Sequence, residues 1–168
     1  MEGILGRIIA TLLGLLALGA VVYIGEQALA GNKVTQTVSD LAQVATNARN
    51  GFSTNPNMYA NFTNANSAAL ISAGMFPTDM VAGGTTIVDA WGNNVTFVPT
   101  GANNSEFQLT FGGGTMTADQ CAKVVTGLQG YVSLSVNGGT AFTTANPPDL
   151  STAGTACQGG SQIQVTYQ

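Results

Sequence analysis

The chain has 168 residues, enough for one ordinary domain and a terminal segment. Four bases stand against eight acids, for a net charge of −4, and no basic cluster exists to neutralise phosphates, so a nucleic-acid-binding face is excluded. There is no histidine, which removes the usual general base, the commonest metal ligand and the Ser-His and Cys-His nucleophile pairs, and points away from an enzyme.

From Gly3 to Ile24 the chain is almost wholly apolar. At helical rise such a run covers roughly 33 Å, enough to cross a bilayer. Glu2 and Arg7 mark its head. A cleaved signal peptide would carry a basic start and a shorter apolar core. A plain membrane anchor accounts for the length but not for a helix that continues past the bilayer. Val34, Val38, Leu41, Ala45, Ala48 and Phe52 recur at spacings of 4, 3, 4, 3 and 4, one apolar stripe along a helix. Gln36, Ser39, Asp40, Gln43, Asn47 and Asn50 fall on the opposite, polar face. The pattern predicts one helix from near residue 2 to near residue 51, with Arg49 in its last turn and Gly51 beyond it. Gly14, Gly19, Gly25 and Gly31 dilute its helix propensity, for close helix contact or for local unwinding.

The texture changes after Asn55. "NPNMYANFTNANSAALISAGMFPTDM" reads as a loop and then a short helix around Asn66–Ser72, with Gly74 as its C-cap and Pro77 as its stop. The runs "TTIVDAW", "NVTFVP", "EFQLTF", "YVSLSVN" and "IQVTYQ" are rich in β-branched and aromatic residues and read as short strands. "GNN" at 92–94 reads as a tight hairpin turn between two of them. "TADQCAKVVTGLQ" is a helix with Thr117 as N-cap and Gln120 as capping-box partner. The fold class is therefore α+β: a long N-terminal helix, apolar then amphipathic, packed against an antiparallel sheet. The chain divides into three parts: an apolar half-helix over 1–24, its amphipathic continuation over 25–52, and a globular head over 53–168.

Cys121 and Cys157 make a poor zinc site without histidine and read as a disulfide formed in an oxidising compartment. "GGGT" at 112–115 lacks a following lysine and is a turn rather than a phosphate loop. Asp79 and Asp89 stand alone and form no calcium loop, and Trp91 reads as a core or sheet residue. No cofactor is expected.

These features in this order resemble a type IV pilin of the type IVb subclass. The resemblance rests on the apolar-then-amphipathic N-terminal helix, "ISAGMFPTDM" at 71–80, the cysteine-bearing "TADQCAKVV", the strand "YVSLSVNG", and a late "AC" at 156–157 before "IQVTYQ". The conjugative thin-pilus pilins look most similar in the loop and the C-terminal half. The resemblance implies a structural subunit, the major pilin, that polymerises through its N-terminal helix into an extracellular filament for attachment, aggregation or mating contact. It implies an inner-membrane precursor, cleavage by a prepilin peptidase, methylation at Met1, handling by the pilus assembly machinery, and a helical homopolymer as the product. The family usually has glutamate at the fifth mature position, where this chain has Leu5, and the nearest acid is Glu2. An unpaired buried charge is costly, so Glu2 and Arg7 are candidates for assembly contacts, pairing across subunits or, for Glu2, with a neighbour's amine. The alternative functions are a minor pilin or pseudopilin that primes assembly or serves type II secretion, and a membrane-anchored binding domain.

Overall fold

In a computed structural model of the chain, the described residues are 31–139, 141–158 and 161–168. Residues 31–52 are helical and form α1. The expected start of that helix near residue 2 lies outside the described residues, as does the apolar run from Gly3 to Ile24. Among the described residues no helix is long and apolar enough to cross a membrane.

Val34–Gln168 form a compact unit. A two-stranded antiparallel ribbon comes first, β1 (Val81–Ala82) with β2 (Thr86–Ile87). The main sheet is built from β3 (Thr96–Thr100), β4 (Glu106–Gly112), β5 (Ser133–Val136), β6 (Phe142–Thr143) and β7 (Gln162–Tyr167). Its order is β3-β4-β7-β5-β6, antiparallel throughout. Alternation fixes the register. Phe107, Leu109 and Phe111 of β4 stand opposite Tyr167, Val165 and Ile163 of β7, and Leu134 and Val136 of β5 stand opposite Val165 and Ile163 from the other side. All of these are buried on one face, since a period of two sends alternate side chains the same way.

That face shares a single core with α1, whose Leu41, Val44, Ala45, Ala48 and Phe52 are buried with it. An aromatic chain runs through this core. Phe62 meets Phe52, Phe97 and Phe107 with ring centroids 5.8, 4.8 and 4.9 Å apart, and Tyr167 stacks on Phe107 at 5.6 Å. Such offset and edge geometries add about 0.5–1.5 kcal/mol per pair beyond area burial.

The local elements reflect their chemistry. α2 (Ser67–Ser72) ends at Gly74, whose φ of +72° suits a residue without a Cβ. α3 (Ala118–Gly127) begins on the expected capping box: the Gln120 N–H donates to Thr117 Oγ1, and the Thr117 N–H donates to Gln120 Oε1. A further helix, α4 (Leu150–Ala156), carries a second box made by Asp149 and Thr152. α4 is not among the elements expected from sequence. Its seven residues "LSTAGTA" have too little apolar periodicity to announce a helix, and the capping pair Asp149…Thr152 lacks the usual glutamate.

Two expectations are corrected. The run "TTIVDAW" yields only the two-residue β2, and its link to the next run is a wide turn over Asp89–Asn93 rather than a tight one at 92–94. Gly51 lies within α1, which continues to Phe52 because that ring is drawn into the aromatic core.

Candidate functional site: the polar insertions of the helix

α1 presents its buried face at Thr37, Asp40, Leu41, Val44, Ala45, Ala48 and Phe52. Spacings of 3, 1, 3, 1, 3 and 4 keep these on one arc of a 3.6-residue helix. The arc is turned from the expected stripe: Val34 and Val38 are only half-buried, Val44 is fully buried, and Asp40 lies inside it. Asp40 was expected on the polar face; it is 8% exposed instead. The segment from Met75 to Met80, buried at both ends, covers this side of the helix through Asp79, which accepts a hydrogen bond from Gln36 Nε2 at 2.7 Å.

Asp40 has no hydrogen-bond donor and no cation against it among the described residues. Burial, and then the charge of Asp79, push its carboxyl up from 3.8 to about 6. Thr37, one turn earlier, buries its hydroxyl without a partner. Thr37 and Asp40 thus lie one turn apart on the buried arc of α1, and Asp79, itself exposed, is near enough for its charge to act on Asp40.

Near the other end of α1, Arg49 is fully engaged. Its Nε donates to the Gln168 carbonyl at 2.6 Å, a terminal nitrogen donates to the Gly130 carbonyl at 2.8 Å, and the guanidinium lies 5.7 Å from the centroid of the Tyr167 ring. It fastens the helix to the last strand and to the segment before β5. Burial raises the Tyr167 phenol to about 12 against the opposing pull of Arg49.

A second buried carboxylate is satisfied throughout. Asp89 accepts from the Trp91 N–H and the Asn93 N–H at 2.9 Å each, from Asn93 Nδ2, and from the Gly112 N–H at 3.0 Å. Gly112 is a glycine of necessity: its φ is +81°, and a Cβ there would collide with the Ser161 carbonyl oxygen. Trp91, half-buried, donates its indole N–H to Gln120 Oε1 at 3.0 Å and so joins this turn to the start of α3.

The site residues expected from sequence divide in two. Cys121 and Cys157 are bonded, with Cα atoms 5.8 Å apart, and tie α3 to the end of α4. Met1, Glu2 and Arg7 lie outside the described residues. The burial of Asp40 escapes sequence reasoning because a lone aspartate in a helical pattern counts as polar face. The signal for it is Thr37 and Asp40 at positions i and i+3 beside Leu41 and Val44.

The family model described as PilS N terminal matches residues 31–168, most of the chain. The chain therefore belongs to the PilS family and is a pilin-like, pilus-related subunit. No curated protein matches it.

Proposed function

We propose that the chain is the major subunit of a type IV pilus of the IVb kind, used for attachment, aggregation or conjugative contact. The observation that carries this reading is the PilS match over 31–168, which starts on an amphipathic helix lying against an antiparallel sheet. On this reading the chain works by binding copies of itself and performs no catalysis. The apolar run Gly3–Ile24 holds the precursor in the inner membrane and then packs among its equals in the filament, where each Å² of apolar surface kept from water contributes roughly 25 cal/mol. A prepilin peptidase exposes the mature N-terminus, which is methylated, and the assembly machinery lifts the subunit out. Glu2 and Arg7 select the stagger, because wrong staggers leave charges unpaired away from water.

The fold supports the reading in two ways. The disulfide and the Arg49 contacts make the head rigid before assembly. Six acids and three bases among residues 31–168 leave a surface that is solvated mainly by neutral Asn, Thr and Ser.

The test is electron microscopy of filaments sheared from cells, with peptide mapping of their main component. Abundant filaments made chiefly of this chain are expected. Filaments in which it is a trace component would turn the reading to a minor pilin, and a chain confined to the inner membrane would end it.

A further inference from the structure

We infer that the groove between the β5–β6 hairpin and α4 binds a neutral oligosaccharide, an inference that rests on the attachment role proposed above and names the chemistry it recognises. The groove encloses about 550 Å³, a volume within the usual range of small-molecule sites. Three observations carry the assignment. First, its walls differ in kind. Phe142 and Val136 of the hairpin, with Ala156 of α4, form an apolar wall, and Phe142 is half-buried, so part of its ring stays open to the groove. Ser151, Thr155 and Gln158, all exposed, set hydroxyls and an amide against that wall. Secondly, Asn137 supplies a fixed donor at the groove. Its N–H donates to the Gln162 carbonyl at 2.8 Å, and its Oδ1 accepts from the Gln162 N–H at 2.9 Å. That leaves its Nδ2 group oriented and without an acceptor among the described residues. Thr155 Oγ1 donates to the Ser151 carbonyl at 3.0 Å and keeps its lone pairs for an incoming donor. Thirdly, none of the lining residues is charged.

A pyranose fits both walls. One face of its ring is made of C–H groups, which settle on the negative face of an aromatic ring, and its rim is made of hydroxyls that both donate and accept. Other ligand classes fit less well. An anion meets no base here: Arg49 is held by the Gln168 and Gly130 carbonyls, Lys123 by Asp119, and neither lines the groove. A cation meets no carboxylate in the lining. A wholly apolar ligand would cover the Asn137 amide and leave it unpaired, which is costly. An extended peptide has no strand to join. β6, the outermost strand on this side, is two residues long, and the N–H and carbonyl of Thr143 are both taken by Asn146.

The experiment is saturation-transfer NMR with lactose, chitobiose and maltotriose, and with sialyllactose as the anionic counterpart. The full chain is used both as filaments and dispersed in a zwitterionic detergent that has no sugar head. Saturation should pass from the chain to the C–H protons of at least one of the three neutral sugars, and more weakly to sialyllactose. Thr155→Trp, at an exposed position of α4, fills the groove and should abolish the signal. Asn137→Asp keeps the acceptor for the Gln162 N–H and removes the free donor, so it should weaken binding about ten-fold. Phe142→Ala should weaken it by a similar factor. Melting midpoints close to that of the wild type show that the variants fold. The inference is overturned if none of the neutral sugars binds the dispersed chain, if both Thr155→Trp and Asn137→Asp bind as the wild type does, or if sialyllactose is preferred. A groove that instead takes a neutral Ser/Asn peptide would also overturn it, as would loss of filaments in Thr155→Trp at normal subunit levels, which would make the groove a contact between subunits and leave the pilus reading standing. Groove-dependent sugar binding by a chain absent from surface filaments would keep the groove assigned and end the pilus reading alone.

Discussion

Asp89 and Asp40 are 5% and 8% exposed, yet Asp89 gathers three backbone N–H groups and the Asn93 amide, and Asp40 gathers no donor at all among the described residues. The same side chain at the same depth thus plays two parts. At Asp89 the carboxylate organises a turn: it orders Asp89–Asn93, anchors the end of β4 through Gly112, and positions Trp91 to reach Gln120. At Asp40 it organises nothing within the subunit and lies beside another negative charge. A buried charge whose partners are all present is part of the fold. One without partners lowers the stability of the subunit.

The contrast predicts effects of opposite sign. Asp89→Ala strands the N–H groups of Trp91, Asn93 and Gly112 in a part-buried turn, and each unpaired donor costs about 1–3 kcal/mol. A loss of about 3–5 kcal/mol is expected, read as a fall in the denaturation midpoint of the chain in mild detergent. An unchanged midpoint would mean that the turn is held by its own backbone bonds and that Asp89 is no more structural than Asp40.

Asp40→Asn should do the reverse and stabilise the subunit at neutral pH. The folded-state carboxyl, at about 6, lies above its unfolded value of 3.8, so the folded state binds the proton more tightly. The stability that protonation contributes is complete below about pH 4 and is lost as pH rises to about 6. The variant cannot lose it. Its advantage should be near zero at pH 3.5, grow between pH 4 and 6, and level off at roughly 1–2 kcal/mol once solvent screening at the rim is allowed for. Melting the two proteins side by side across that range checks the sign. An advantage that does not vary with pH would show that the Asp40 carboxyl has the same pKa folded and unfolded, and that burial does not penalise its charge.

Much of the fold was legible because it is written in short-range patterns. Thr117 and Gln120 announce α3 through a capping box that needs only a few residues of sequence. The runs around Phe107 to Phe111 and Ile163 to Tyr167 announce β4 and β7 by alternation, and Gly74 announces the end of α2. The disulfide was legible because an exported chain with two cysteines and no histidine has few other uses for them. What could not be read was the angular setting of α1. Its heptad-like stripe places the buried arc to within one neighbouring column of residues, and the choice between Val38 and Asp40 at its margin is made by the segment Met75–Met80, remote in sequence. The partners of Arg49 are equally remote, at Gly130 and Gln168. Helix periodicity fixes which residues share a face, and tertiary packing decides which faces are covered.

The smallest expected effect concerns two hydroxyls that are both buried and both unpartnered, those of Thr37 and Tyr167. Removing an unsatisfied hydroxyl while keeping its shape relieves a desolvation cost, so Thr37→Val and Tyr167→Phe should each raise stability by up to about 1 kcal/mol. Thr and Val have similar helix propensities, so α1 itself should be indifferent to the first change. In the isolated subunit the two variants are therefore alike. Their surroundings differ: Thr37 lies one turn from Asp40 on α1. Tyr167 lies under Arg49 and against Phe107, within the subunit's own core. Thermal melts of the two variants beside the wild type check the gain, and a fall in the midpoint of either would show that its hydroxyl has a hydrogen-bond partner in solution.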